Sequence, residues 1–258
     1  MRYTVYETNA LDPEEVSRLK RDMSEVSFSR EYLCDFDAAG VNQLISLALI
    51  EESVRRIYKP GQFDYQAKII GIDPARYGDD LSTIVKRQGL CCFEPISFAG
   101  LDNMALADQV VYHIETWKPD AVFCDAGNGA GVIDRIRQLG HSVIEVPFGG
   151  ASTNPKYANK RAQMWGDMAQ WLKDGGQLPD HPRLKADLAG PTYWFDQKGR
   201  MMLEPKSEMK ARGLPSPDFG DALCTTFAAT VMPKKHEVPR WSGNSLHASE
   251  YVYDPRRF

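Results

Sequence analysis

AKIIGIDPARYGDDLSTIVKRQGLCCFEPISF (67–98) decides the fold. Short apolar runs bounded by turn residues read as strands, here AKIIGID (67–73), LSTIVKR (81–87) and LCCFEPISF (90–98). The joints Tyr77-Gly78-Asp79 and Gln88-Gly89 are short and carry glycine, so the three strands form an antiparallel meander. Leu106, Val110, Ile114 and Trp117 then recur at helical spacing between Asp102, which can cap, and Pro119, which stops the helix. Ala121 to Cys124 is a buried strand that delivers Asp125 at its end; a glycine-rich turn (127–131), a helix over 130–139 and a strand over 142–146 follow. A meander that runs on into alternating strands and helices implies an α/β fold, with a mixed β-sheet flanked by helices.

Farther out, a loop (149–155), a helix near 158–173, a hairpin around 192–204 turning at Lys198-Gly199, and a final helix from Pro217 to about Val231 complete the domain, 63–232. Upstream, Pro13, Glu14 and Glu15 after Asp12 open one helix, and Val41 to Ile57 forms another that ends at Lys59-Pro60-Gly61. Residues 1–62 therefore read as a short, separable, helical N-terminal linker segment. The stretch 233–258 has three prolines and little periodicity. It reads as a flexible tail with Lys234, Lys235, Arg240, Arg256 and Arg257 against Glu237, Glu250 and Asp254.

A chain of 258 residues, 43% hydrophobic and 26% charged, can bury a full core and is not disordered. No run approaches the ~18 apolar residues of a membrane span, and the N-terminus lacks the apolar core of a secretory leader. The five cysteines are odd in number and never at C-x-x-C spacing, so reduced thiols are expected. The five histidines are scattered singly, which argues against structural zinc. A net charge of −4 disfavours nucleic-acid binding by the surface as a whole, unless carboxylates that hold a cation account for the sign.

Such carboxylates are present. Asp73 ends an apolar strand before Pro74, Asp125 ends another, and ligands in open α/β sheets bind beyond the carboxyl ends of parallel strands. On the last helix, with Ser216 able to cap and Pro217 at the first helical position, Asp218, Asp221 and Thr225 share one stripe at about 100° per residue. Phe219, Leu223 and Phe227 lie opposite. Asp221, among Ala222, Leu223 and Ala228, is expected to be partly buried and so to need a partner, while Asp218 also suits the first turn simply as an acid against the helix dipole. Carboxylates that converge without histidine or cysteine suit Mg²⁺ or Mn²⁺, and two such ions about 3.5–4 Å apart clamp the attacking and leaving oxygens in phosphodiester cleavage.

GIDPARYGDD (71–80), FCDAGNGAGVIDRI around Asp125, KYANKRAQMW (156–165), EPKSEMKARG (204–213) and SPDFGDAL (216–223), in that order, resemble the nuclease domain of tailed-phage terminase large subunits. SREYLCDF (29–36) is similar to the segment joining motor to nuclease in that family. The resemblance implies a ribonuclease H-like fold and a two-metal endonuclease acting on concatemeric double-stranded viral DNA. It implies as partners the portal protein and the small terminase subunit, at the procapsid portal in the host cytoplasm. It places Asp73, Asp125 and Asp221 as catalytic, metal-binding acids with Asp218 beside them. Lys160, Arg161, Lys206, Lys210 and Arg212 fall near the DNA backbone, and Asp79 and Asp80 read as turn residues.

One departure stands out: no G-x-x-x-x-G-K-[ST] occurs, and the run Gly127 to Gly131 lacks the lysine and hydroxyl of a phosphate cradle. Residues 1–62 then correspond to the end of the ATPase motor domain and its linker, and the chain is not expected to translocate DNA by itself. Rival readings are an actin-like or sugar-kinase ATPase, to which Pro74-Ala75-Arg76 after Asp73 is unsuited, a Holliday-junction resolvase, and an inactive packaging scaffold that binds the portal.

Overall fold

The computed structural model describes residues 4–8, 11–22, 28, 32, 42–75 and 80–234. Strands β1 (Lys68–Asp73), β2 (Ser82–Gln88), β3 (Cys91–Cys92), β4 (Ile96–Phe98), β5 (Ala121–Asp125) and β6 (Ile144–Val146) form one sheet in the order β3-β2-β1-β5-β6, with β4 also on β2. β1 runs antiparallel to β2 and parallel to β5, which is parallel to β6, so the sheet is mixed as expected. The third meander strand is divided: Pro95, which cannot donate to a ladder, separates Cys91–Cys92 from Ile96–Phe98 on the same partner. β7 (Tyr193–Phe195) and β8 (Met201–Leu203) make the expected hairpin, turning through Gly199 at φ +70°. The joint at 77–79 lies outside the described residues.

The helices are α1 (Val5–Thr8), α2 (Pro13–Asp22), α3 (Leu47–Arg55), α4 (Asn103–Trp117), α5 (Ala126–Gln138), α6 (Lys160–Lys173), α7 (Pro182–Ala189), α8 (Lys206–Ala211) and α9 (Asp218–Thr225). The two-residue period of β1 sorts them onto faces. Ile70 and Ile72 pack with Leu106 and Val110 of α4 and Val132, Ile133 and Ile136 of α5. Ile69 faces the other way, into a core with Trp165 and Met168 of α6 and Phe219, Ala222 and Leu223 of α9. Each fully buried isoleucine contributes roughly 1.5–3 kcal/mol. Gly71 belongs to this second face, where a Cβ would stand 2.1 Å from the Ala222 carbonyl and 2.4 Å from Thr225 Oγ1. Glycine is therefore what lets α9 lie flat on β1. Asp73, two residues on, shares that face.

Several expected boundaries move. α5 starts at Ala126, directly after Asp125, so the glycine run is the first turns of the helix rather than a turn before it. The cause is packing: a Cβ on Gly129 would come 2.9 Å from Cys124 Sγ, and one on Gly131 2.3 Å from Asn103 Nδ2. α9 ends at Thr225 and is buried all round, not amphipathic; Pro217 is its N-cap, and Ser216 Oγ is buried with no partner among the described residues. α3 begins only at Leu47, because Gln43 is bridged to Thr192 and Ser46 caps Leu49 N. Ile45 and Ile50 join the α6/α9 core. α7 and α8 were not read from the sequence. Val41, residues 29–31 and 33–36, and the tail from 235 fall outside the described residues. Among the described residues no helix is long and apolar enough to cross a membrane.

Candidate acidic active site

Three elements deliver four carboxylates to one end of the sheet. Asp73 is the last residue of β1 and Asp125 the last of β5; Asp218 and Asp221 lie in the first turn of α9, which Gly71 admits against β1. All four are buried. The Lys206 ammonium, from the start of α8, stands among them, 3.3 Å from Asp73 Oδ2 and 2.9 Å from Asp221 Oδ2. Asp125 also caps α5, accepting Gly127 N at 3.2 Å through Oδ1, and Asp218 Oδ2 accepts Leu81 N at 2.8 Å.

Asp221 differs from the other three. Its Oδ1 accepts Arg161 Nε at 3.1 Å and the Trp165 indole N–H at 2.8 Å, and its Oδ2 accepts Lys206 and, at 3.4 Å, Arg161 Nη2. Both oxygens are thus engaged by protein donors. Gly220 makes this possible, since a Cβ there would sit 2.7 Å from the Trp165 ring. Arg161 also donates to the Glu204 carbonyl at 2.9 Å, fixing the strand end that leads into α8 and Lys206.

Burial pushes the Asp73 carboxyl well above the ordinary carboxylate range; Lys206 opposes this, while Asp221, Asp125 and Asp218 reinforce it. Asp125 and Asp218 are raised too, again chiefly by burial. Burial would also raise Asp221, but Arg161 and Lys206 hold it below its ordinary value. Four carboxyl groups thus share the pocket with two cations, Arg161 and Lys206, and three of the four resist ionisation as they stand. Among the described residues no group of three or more His, Cys, Asp or Glu side chains is drawn together to grip an ion as the side chains stand. The donors are nevertheless all oxygen, and the ammonium bridging Asp73 and Asp221 stands where a cation would, so the set fits a hard divalent ion.

The expected basic residues scatter. Lys206 and Arg161 join the acids. Lys210 pairs with Asp80 at 3.2 Å, and Arg212 is clamped on Glu204 at 2.7 and 2.6 Å. Lys160 lines a separate cleft with Arg87. Sequence reasoning missed Trp165, Glu204 and Asp187. Asp187, on α7, accepts Phe219 N at 2.8 Å and Gly220 N at 3.4 Å, supplying the N-terminal cap that Pro217 cannot.

No family model and no curated protein matches the chain. Solved structures do. The chain is similar to a mutant nuclease domain of the large terminase subunit gp2 of bacterial virus Sf6 with manganese and beta-thujaplicinol, at a TM-score of 0.63 and 19% identity, over 73% of this chain and 99% of that one. The chain has the fold of large-terminase nuclease domains. The large terminase nuclease from thermophilic phage G20c with bound magnesium aligns at a TM-score of 0.54 and 15% identity, over 72% of this chain and 97% of that one. The HK97 bacteriophage large terminase aligns at 0.55 and 14%; the match covers 88% of this chain but 53% of that longer one. The ribonuclease H-like, mixed-sheet fold that the resemblance implied is thereby found.

Proposed function

We propose that this chain is a divalent-metal-dependent endonuclease that cuts concatemeric double-stranded DNA during phage genome packaging. The observation that carries this reading is the convergence of Asp73, Asp125, Asp218 and Asp221 around the Lys206 ammonium at the carboxyl ends of β1 and β5. The Sf6 and G20c neighbours, solved with manganese and magnesium, support it. Mg²⁺ or Mn²⁺, two ions in this reading, would be held by Asp73, Asp125 and Asp221, with Asp218 beside them; when bound, such ions supply Lewis acidity to the scissile phosphodiester. Asp221 holds Oδ1 on Arg161 and Trp165 and shares Oδ2 with Lys206. It anchors Lys206, whose ammonium offers positive charge to a phosphate entering the pocket. Arg161 places α8 through the Glu204 carbonyl. The proposed partners are the portal protein, the small terminase subunit and an ATPase motor domain, at the procapsid portal in the host cytoplasm.

The test is cleavage of supercoiled plasmid in Mn²⁺ or Mg²⁺. Nicking is expected, and it is expected to vanish with EDTA and in Asp73→Ala, Asp125→Ala and Asp218→Asn with the melting temperature retained. Plasmid left intact under all conditions would instead make the chain an inactive packaging scaffold. ATP binding without cleavage would favour the actin-like alternative.

A further inference from the structure

At the opposite end of β1 a cleft of about 550 Å³ opens between Ala67 and Ile69, α6 and the residues that follow α9. Arg87 lines it. Its Nε donates to Thr226 Oγ1 at 2.8 Å, Nη2 to the Thr226 carbonyl at 2.8 Å and Nη1 to the Gly89 carbonyl at 3.4 Å, and the guanidinium lies 4.2 Å from the Phe227 ring centroid. Every one of these partners is neutral. Among the described residues no Asp or Glu comes within ion-pair distance of Arg87, and three bonds on five N–H donors leave two to give. Loss of hydration pulls its pKa down to about 10, so the charge is kept at a cost that no anion in the described fold offsets.

The other charged groups lining the cleft, Lys160 and Asp167, are of opposite sign and interact with each other. A net charge of +1 on Arg87 is left, flanked by Ile69, Phe227 and Val231. One cation beside an apolar patch, in a cleft whose other lining includes Gln66, Thr153, Gln163 and Thr230, matches one carboxylate with an apolar neighbour and a polar flank. It matches a nucleic-acid backbone poorly, since duplex DNA brings a phosphate about every 1.7 Å along its axis and would set several of them against Asp167. We propose that this cleft docks an acidic peptide segment of a partner protein, whose Asp or Glu carboxylate pairs with Arg87 while its apolar neighbours pack on Phe227 and Val231. The site lies about 13 Å along β1 from Asp73, four residues at about 3.3 Å each, and does not depend on the nuclease reading.

The experiment titrates the ¹⁵N-labelled full chain with a capped Leu-Glu-Leu peptide and its Leu-Gln-Leu counterpart, following the Arg87 Nε–H resonance. The glutamate peptide is expected to saturate that signal, with the glutamine peptide about tenfold weaker or worse. Arg87→Gln is expected to abolish binding. Because Arg87 also supports Thr226, a second variant is needed: Thr230→Trp, at an exposed lining position, fills the mouth with Arg87 intact and is expected to abolish binding at an unchanged melting temperature. Failure of the glutamate peptide to saturate, equal binding of the glutamine peptide, or binding that survives Thr230→Trp would overturn the proposal. So would a short DNA duplex that shifts the Arg87 resonance in place of the peptide.

Discussion

Arg161 and Arg87 sink their guanidinium groups into the same core near opposite ends of β1, and their surroundings treat them differently. Burial works against both charges. At Arg161 the Asp221 carboxylate more than compensates and the pKa rises; at Arg87 only carbonyls, a hydroxyl and an aromatic face answer, and the pKa falls to about 10. The contrast teaches that burial alone does not define a site. At the acid end clustered carboxyl groups suit cations; at the cleft end the unanswered charge is positive and calls for an anion.

The sharpest way to break this comparison is to delete each arginine. Arg161→Met leaves the fully buried Asp221 with Lys206 as its remaining charged partner, and a loss of about 3–5 kcal/mol is expected in chemical denaturation. A loss below about 1 kcal/mol would mean that the pair contributes little to the fold. Next in size is Asp187, whose carboxyl burial raises to about 7 from an ordinary 3.8. Between those two pH values the folded chain holds this proton more tightly than the unfolded chain, so its contribution to stability falls as pH rises, and above 7 the buried charge is borne in full. Asp187→Asn keeps an acceptor for the Phe219 and Gly220 amides. It is expected to stabilise by roughly 1–4 kcal/mol at pH 8 and by nothing at pH 4; a gain equal at both would contradict the assignment.

Arg87→Met gives up two good hydrogen bonds to Thr226 but removes an unanswered charge, so a loss of only about 1 kcal/mol is expected from thermal melts. A cost like that of Arg161→Met would show that the described surroundings already compensate Arg87. The smallest effect is at Lys210→Ala, which breaks a half-exposed pair with Asp80 and should change stability by less than about 0.5 kcal/mol.

The sheet and both strand-end acids were legible because period-two apolar runs and glycine turns are local signals: Ile69, Ile70 and Ile72 sort onto faces by position alone. What was not legible depended on contacts distant in sequence. The run from Gly127 to Gly131 reads as a turn until Cys124 and Asn103 are seen pressing on Gly129 and Gly131. Ser216 reads as a cap, yet the cap comes from Asp187, about thirty positions earlier, on a helix whose pattern gave no hint of α9. Among the basic residues, sequence could not tell Lys206, held among the acids, from Arg212, held by Glu204, because charge type is the same and only the partner differs. Trp165 and Glu204 lie within stretches that carry the resemblance, yet nothing local marks their pairing with Asp221 and Arg212.

Manganese anomalous diffraction from crystals of the full chain tests the central claim most directly. A peak is expected between the Asp73, Asp125 and Asp221 carboxylates, with Asp218 beside it and with Arg161 and Trp165 still on Asp221 Oδ1. Crystals that give no peak there at saturating manganese, with Lys206 still bridging Asp73 and Asp221, would contradict it.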